Sequence, residues 1–221
     1  MRHFDEIHAL AAGHHGGAEA VEALLPRPLT AAALAAIPDD RWLSTLSRMV
    51  FSAGFNWQVV EAKWPGFENA FHRFVPGRCA LMDDEALEIA AKAGGIGHMA
   101  KARAIRDNAV FFGDLAREHG SAAAWFAARP ATAYAETLET LKKRGARLGG
   151  TTAQYFLRMM GADGWVTSTD MVAALQREGV IDGAPTSKKA MAAIQAAYDT
   201  WRTQSGRPNA QISRLLALSI G

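Results

Sequence analysis

Apolar residues recur along most of the chain at spacings of three and four. The runs are cut by Gly, Pro and Asp, with no stretch of alternating β-branched residues. This pattern predicts amphipathic helices and an all-α fold. After a polar, Gly-rich start, residues 18–25 read as a helix closed by Pro26 and Pro28. Leu29 to Ile37 reads as another, stopped at Pro38, because proline disfavours helical geometry in the residue before it. Asp39 or Asp40 is the expected cap of a helix through Trp42, Leu43, Leu46, Met49 and Val50 that ends near Gly54. Asn56 opens the next, and Pro65-Gly66 is expected to turn the chain into a separate piece, Phe67 to Phe74. Further helices are expected over Glu85 to Lys92, behind Asp83 or Asp84, and over 99–118 with Lys101, Arg103 and Arg106 on the polar side. The remainder are expected from Ser121 to before Pro130, then over Tyr134–Lys143, Thr151–Met160, Asp170–Glu178 and Ser187–Thr203.

With 221 residues, 49% of them hydrophobic, the chain can bury a core in one domain or in two joined lobes, which excludes a disordered or collagen-like protein. A single cysteine, Cys79, allows neither an intramolecular disulfide nor a multi-cysteine zinc cluster. That fits a reducing compartment, so a cytoplasmic protein is expected. Asp5, Glu6 and His8 interrupt any signal-like apolar run, and no stretch approaches the roughly 20 apolar residues of a membrane span. The balance of 24 Lys+Arg against 22 Asp+Glu says little about an anionic partner, but the distribution says more. Lys142, Lys143, Arg144, Arg147 and Arg158 fall in a stretch with no acid, whereas Asp83, Asp84, Glu85 and Glu88 gather elsewhere.

The basic stretch surrounds a short Gly-rich turn between two predicted helices. Gly149 and Gly150 let the backbone pass close to another surface, and the first N–H groups of the helix at Thr151 lack intrahelical acceptors. Those groups, the helix dipole and the cations at Lys142, Lys143, Arg144 and Arg147 could together hold DNA phosphates without reading sequence. Taken alone, the glycines could equally be a helix C-cap and the cations a solvated face. About 20 residues on, behind Trp165, Asp170 stands at the start of another helix, where it could serve chemistry or merely share in a cap with Ser168 and Thr169.

This layout resembles the helix-hairpin-helix DNA glycosylases, in which a hairpin grips the backbone and an aspartate at the next helix start faces the damaged nucleotide. LKKRGARLGGTT, residues 141–152, resembles the LKKRG…GTT segment of the DNA-3-methyladenine glycosylase I family. In the same order, FSAGFNW (51–57) resembles that family's QAGLSW element, WPGFENAFHRF (64–74) its aromatic helix, and HMAKARAIRDNA (98–109) its RGKI…NA element. The likeness covers roughly residues 40–160. It implies one glycosylase-like unit over 1–221, with two closely packed helical lobes. The hairpin lobe is expected at about 40–165, and 1–39 and 166–221 are expected to pack as the second.

The resemblance implies Asp170 as the catalytic carboxylate and a base pocket at Trp57, with Met49, Phe55 and Trp165 around it. DNA contacts are implied at Lys142, Lys143, Arg144, Arg147, Gly149, Gly150, Thr151 and Thr152. Two departures stand out. The family's zinc site of two Cys and two His has no counterpart, and His14-His15 does not replace it. The family's pocket glutamate falls on Met49, whose thioether cannot accept a proton. Strand-cutting relatives carry a lysine just after the hairpin, where this chain has Thr151 and Thr152.

The expectation is therefore a monomeric, monofunctional glycosylase that removes alkylated purines of the 3-methyladenine type from damaged duplex DNA. It needs no organic cofactor, with a monovalent cation on hairpin carbonyls conceivable by resemblance. The alternatives are a duplex-DNA-binding module without chemistry, and a fold relative acting on a nucleoside or RNA.

Overall fold

Every residue from Met1 to Gly221 is described by the computed structural model, which consists of helices and connecting turns. In chain order the α-helices are α1 (Phe4–His14), α2 (Ala18–Ala23), α3 (Ala31–Ala35), α4 (Asp39–Ser52), α5 (Trp57–Ala70), α6 (Pro76–Cys79) and α7 (Asp84–Ala93). They continue with α8 (Met99–His119), α9 (Ala122–Ala127), α10 (Tyr134–Arg144), α11 (Thr152–Met159), α12 (Thr169–Arg177), α13 (Lys188–Ser205) and α14 (Asn209–Leu218). None is long and apolar enough to cross a membrane.

The chain divides into two compact units. The hairpin unit holds residues 30–128 and 138–160; the terminal unit holds 1–29, 129–137 and 161–221. Residues 30–39 thus group with the hairpin and 129–137 and 161–165 with the termini, unlike the limits of 40 and 165 drawn from sequence. The cause is packing, since α3 lies on α9, while Tyr134 packs edge-on against Trp165 with ring centroids 4.6 Å apart.

In the hairpin unit, α8 runs against α4, α6, α7 and α9. Trp42 of α4 stacks on Phe126 at 4.5 Å, with Phe156 of α11 edge-on to both. A second run of rings, Trp64, Phe67, Phe71 and Phe74, stacks in sequence along α5 and the turn beyond it. This run explains two departures from expectation. Helix α5 continues through Pro65 because Trp64 and Phe67 on either side are buried. Burial worth roughly 1.5–3 kcal/mol per ring offsets the roughly 3 kcal/mol that an interior proline costs. The helix then stops at Ala70, and His72, Arg73 and Phe74 form a left-handed turn with φ of 53°, 55° and 58°. Buried Phe71 and Phe74 anchor that turn, and Arg41 donates to the Arg73 carbonyl at 2.6 Å.

Asp39 does not cap α4. It lies inside the helix, and its carboxylate accepts from the backbone N–H groups of Ala122 (3.0 Å) and Ala123 (2.8 Å), so with Ser121 it caps α9 instead. Asp83 does cap α7 through the Ala86 N–H, and Asp84 pairs with Arg103 and Arg106. Lys101, expected on the polar side of α8, is buried.

In the terminal unit, α14 packs against α1, α12 and α13. The opening read only as polar and Gly-rich holds α1, started by a reciprocal cap between His3 and Glu6 and anchored by buried Phe4, Ile7 and Ala11. His15 reaches the Leu218 carbonyl at 3.1 Å.

Candidate nucleic-acid interface and base pocket

The hairpin between α10 and α11 is held by its small residues and by one helix behind it. The Gly145 N–H bonds the Leu141 carbonyl at 2.9 Å, and a Cβ on Gly145 would sit 2.8 Å from that oxygen, so the turn requires glycine there. Leu148 is buried and anchors the turn inward. Asn108 of α8, fully buried, accepts from the Ala146 N–H at 2.8 Å and donates to the Ala146 carbonyl at 3.0 Å.

Gly149 and Gly150 are exposed with open space in front of them, and Gly150 has φ +58°. No side chain caps α11 at Thr151. The cations around the turn differ in their freedom. Lys142 is exposed and has no partner within the protein, and Lys143 lies 3.3 Å from Glu139. Arg144 makes a two-pronged pair with Glu118 at 2.9 and 2.7 Å and lies over Phe111. Arg147 takes a left-handed conformation and donates to the Ala100 carbonyl at 3.3 Å.

Beside the turn, α4, α5 and α11 enclose a pocket of about 440 Å³. Its walls are Met49, Ser52, Ala53, Trp57, Thr151, Thr152, Tyr155 and Met159. Trp57 is the first residue of α5, behind the Asn56 side chain that accepts from the Gln58 N–H at 2.8 Å. Its indole is 40% exposed, with the Arg48 guanidinium over it at 5.7 Å and Glu61 holding that guanidinium at 3.2 Å. The pocket therefore brings Met49, Trp57, Thr151 and Thr152 together. Sequence reasoning missed Tyr155 and Met159, although their spacing of four on an otherwise amphipathic helix, opposite buried Leu157, was a usable signal.

Two expected pocket residues lie elsewhere. Phe55 is outside these walls, with its ring 4.3 Å from the Lys101 ammonium and 6.1 Å from His98. Trp165 is wholly buried in the terminal unit, with Tyr134 and Tyr198 each at 4.6 Å, so no base can stack on it. Asp170, in the same unit, is exposed in the first turn of α12 and has no hydrogen-bond or ionic partner. The cap is Ser168, which accepts from the Met171 N–H at 3.3 Å, and this leaves the Asp170 carboxylate available.

A larger groove on the hairpin unit is lined by Asp40, Arg41, Arg48, Glu61, Glu68 and Arg73 among others. Arg41 is paired with Glu68 and Arg48 with Glu61, so its charge is largely spent internally.

The helical architecture matches the crystal structure of Methanocaldococcus jannaschii 8-oxoguanine glycosylase/lyase in complex with 15mer DNA containing 8-oxoguanine. The TM-score is 0.51 and the identity 16%, over 83% of this chain and 82% of that one. The fold is thus that of the helix-hairpin-helix DNA glycosylases. A family model described as methyladenine glycosylase matches residues 36–183, well over half of the chain, and the chain belongs to that family. A search of the curated proteins finds no match.

Proposed function

We propose that the protein is a monofunctional DNA glycosylase that removes alkylated purines of the 3-methyladenine type from duplex DNA. The observation that carries this reading is the uncharged, indole-walled pocket that shares Thr151 and Thr152 with the mouth of a basic hairpin. In the proposed cycle the hairpin amides, Lys142 and Lys143 hold phosphates, and the target base leaves the stack at a cost of a few kcal/mol. It then lies against Trp57, with Tyr155 and the thioethers of Met49 and Met159 around it.

An N3-alkylated adenine is cationic in DNA, and its glycosidic bond is already weakened. As that bond breaks, its electron pair passes to the base, which leaves neutral, and positive charge develops on the sugar. We assign stabilisation of that charge to the Asp170 carboxylate. Water adds at C1′ and loses a proton, completing hydrolysis. No lysine lines the pocket, which supports base removal without a Schiff base and without strand cleavage. Met49 supports a second reading, a DNA-binding module that has lost chemistry, since it puts a thioether where the family has a carboxylate.

The test is release of free base from methylated duplex DNA, scored separately for 3-methyladenine and 7-methylguanine, for wild type and Asp170→Asn. Release of 3-methyladenine that falls by orders of magnitude in the variant, with no borohydride-trapped adduct, is the expected result. Salt-dependent binding with no release from any lesion would leave the binding module as the reading.

A further inference from the structure

Helix α8 carries a buried cation that the steps above do not use. Lys101 is 4% exposed and has no carboxylate partner. Its ammonium donates to the carbonyls of Phe51 at 2.8 Å and Ala53 at 2.6 Å, and the Phe55 ring closes over it at 4.3 Å. These carbonyls end α4, where the helix dipole concentrates partial negative charge. Ala53 has already left helical geometry (φ −62°, ψ 110°), and Gly54 follows at φ +76°. Three residues further on, α5 begins at Trp57.

One ammonium therefore holds a carbonyl of the last turn of α4, that of Phe51, and the first one beyond the helix, that of Ala53, in a turn whose two ends, Ala53 and Trp57, are pocket walls. Burying an ammonium without a counter-ion costs stability. Burial, together with the nearby positive charge of Arg147, holds the Lys101 pKa below the ordinary lysine value. The glycine that follows already stops the helix, so what the ammonium adds is a fixed position for the two carbonyls of the turn.

Resting on the glycosylase reading above, we propose that Lys101 is a positioning residue of the base pocket. Its ammonium fixes the Phe51–Asn56 turn, so that Ala53 and Trp57 stand where an extruded base needs them. A displacement of about 1 Å in such a wall costs on the order of 100-fold in rate.

The experiment compares wild type, Lys101→Met and Lys101→Gln in single-turnover base release at saturating methylated duplex, in affinity for undamaged duplex, and in amide hydrogen exchange. Lys101→Met is expected to lose about 100-fold in single-turnover rate. Its affinity for undamaged duplex, which the hairpin supplies, should change by less than about twofold. Exchange should accelerate over residues 53–57 and stay unchanged over 144–152. Lys101→Gln, which keeps an N–H donor without the charge, should fall between, and it is the variant to read if Lys101→Met does not fold. Unchanged exchange in the turn overturns the proposal, as does a faster-exchanging turn with an unchanged rate. If wild type releases no base, the glycosylase reading fails on its own, and the exchange result still decides whether Lys101 holds the turn.

Discussion

Asn108→Ala tests whether the hairpin is a preformed grip. The wild-type side chain is completely buried, and both of its polar ends are spent on one residue of the turn, the Ala146 N–H at 2.8 Å and the Ala146 carbonyl at 3.0 Å. Two such bonds are worth about 1 kcal/mol each, and Ala146 is only half-buried, so water can reach its freed groups and the full desolvation penalty does not apply. The small void left by the amide adds about 1 kcal/mol, for a total of about 2–3 kcal/mol. In a chain of this size that lowers Tm by about 4–12 °C.

The same loss frees the turn before DNA arrives. Ordering one residue on binding costs about 1–2 kcal/mol, so duplex affinity should weaken about tenfold. Asn108→Asp is the control, since it keeps an acceptor for the Ala146 N–H but sets a carboxylate against the Ala146 carbonyl and should do no better than alanine. The assays are thermal unfolding and duplex binding by fluorescence anisotropy over a range of salt. An alanine variant that melts within 1 °C of wild type, or that binds DNA as tightly, would refute the reasoning.

Three further outcomes follow from the same structure. Lys142→Ala should weaken duplex binding regardless of sequence and lower the salt slope by about one counterion, whereas Arg144→Ala should change the slope less, because its guanidinium is already paired with Glu118. Burial works to raise the pKa of Glu178, but bonds from the Arg2 N–H and from the Arg177 and Arg2 guanidinium groups outweigh it and hold the carboxyl below its ordinary value. Its stabilisation is therefore present above the unfolded-state pKa near 4.5 and lost as pH falls through the lower folded value. Glu178→Gln should accordingly be less stable than wild type at pH 7, and unfolding curves of the two should converge at acid pH. Burial, with the Glu68 charge nearby, pushes the Cys79 thiol up to about 12, so the native protein should not react with a thiol reagent at pH 8 until it is unfolded.

The helical class and most helix limits were legible because local chemistry decides them. Ser121, Asp83, Asn56 and Ser187 cap the helices at whose starts they stand, and Gly94 and Gly206 end two of them. The hairpin was legible for the same reason, since its glycines and cations lie within a dozen residues. Helix α14 went unread although Ile212, Leu215 and Leu216 carry the helical spacing, and α1 although Phe4, Ile7 and Ala11 do.

The sequence by itself determined an array of amphipathic helices, a basic Gly-rich turn and a tryptophan at a helix start, because propensity, capping and periodicity act over a few residues. Only the tertiary structure decided that Asp39 caps a helix more than eighty residues away, that α5 passes through Pro65, and that Trp165 is core. It also decided that Lys101 and Asn108, both on one helix, reach back to the pocket turn and forward to the hairpin. Each outcome turns on burial and on partners distant in sequence. A lysine on a helix face is a solvated cation or a buried clamp according to what packs above it, and the order of residues along one helix does not contain that information.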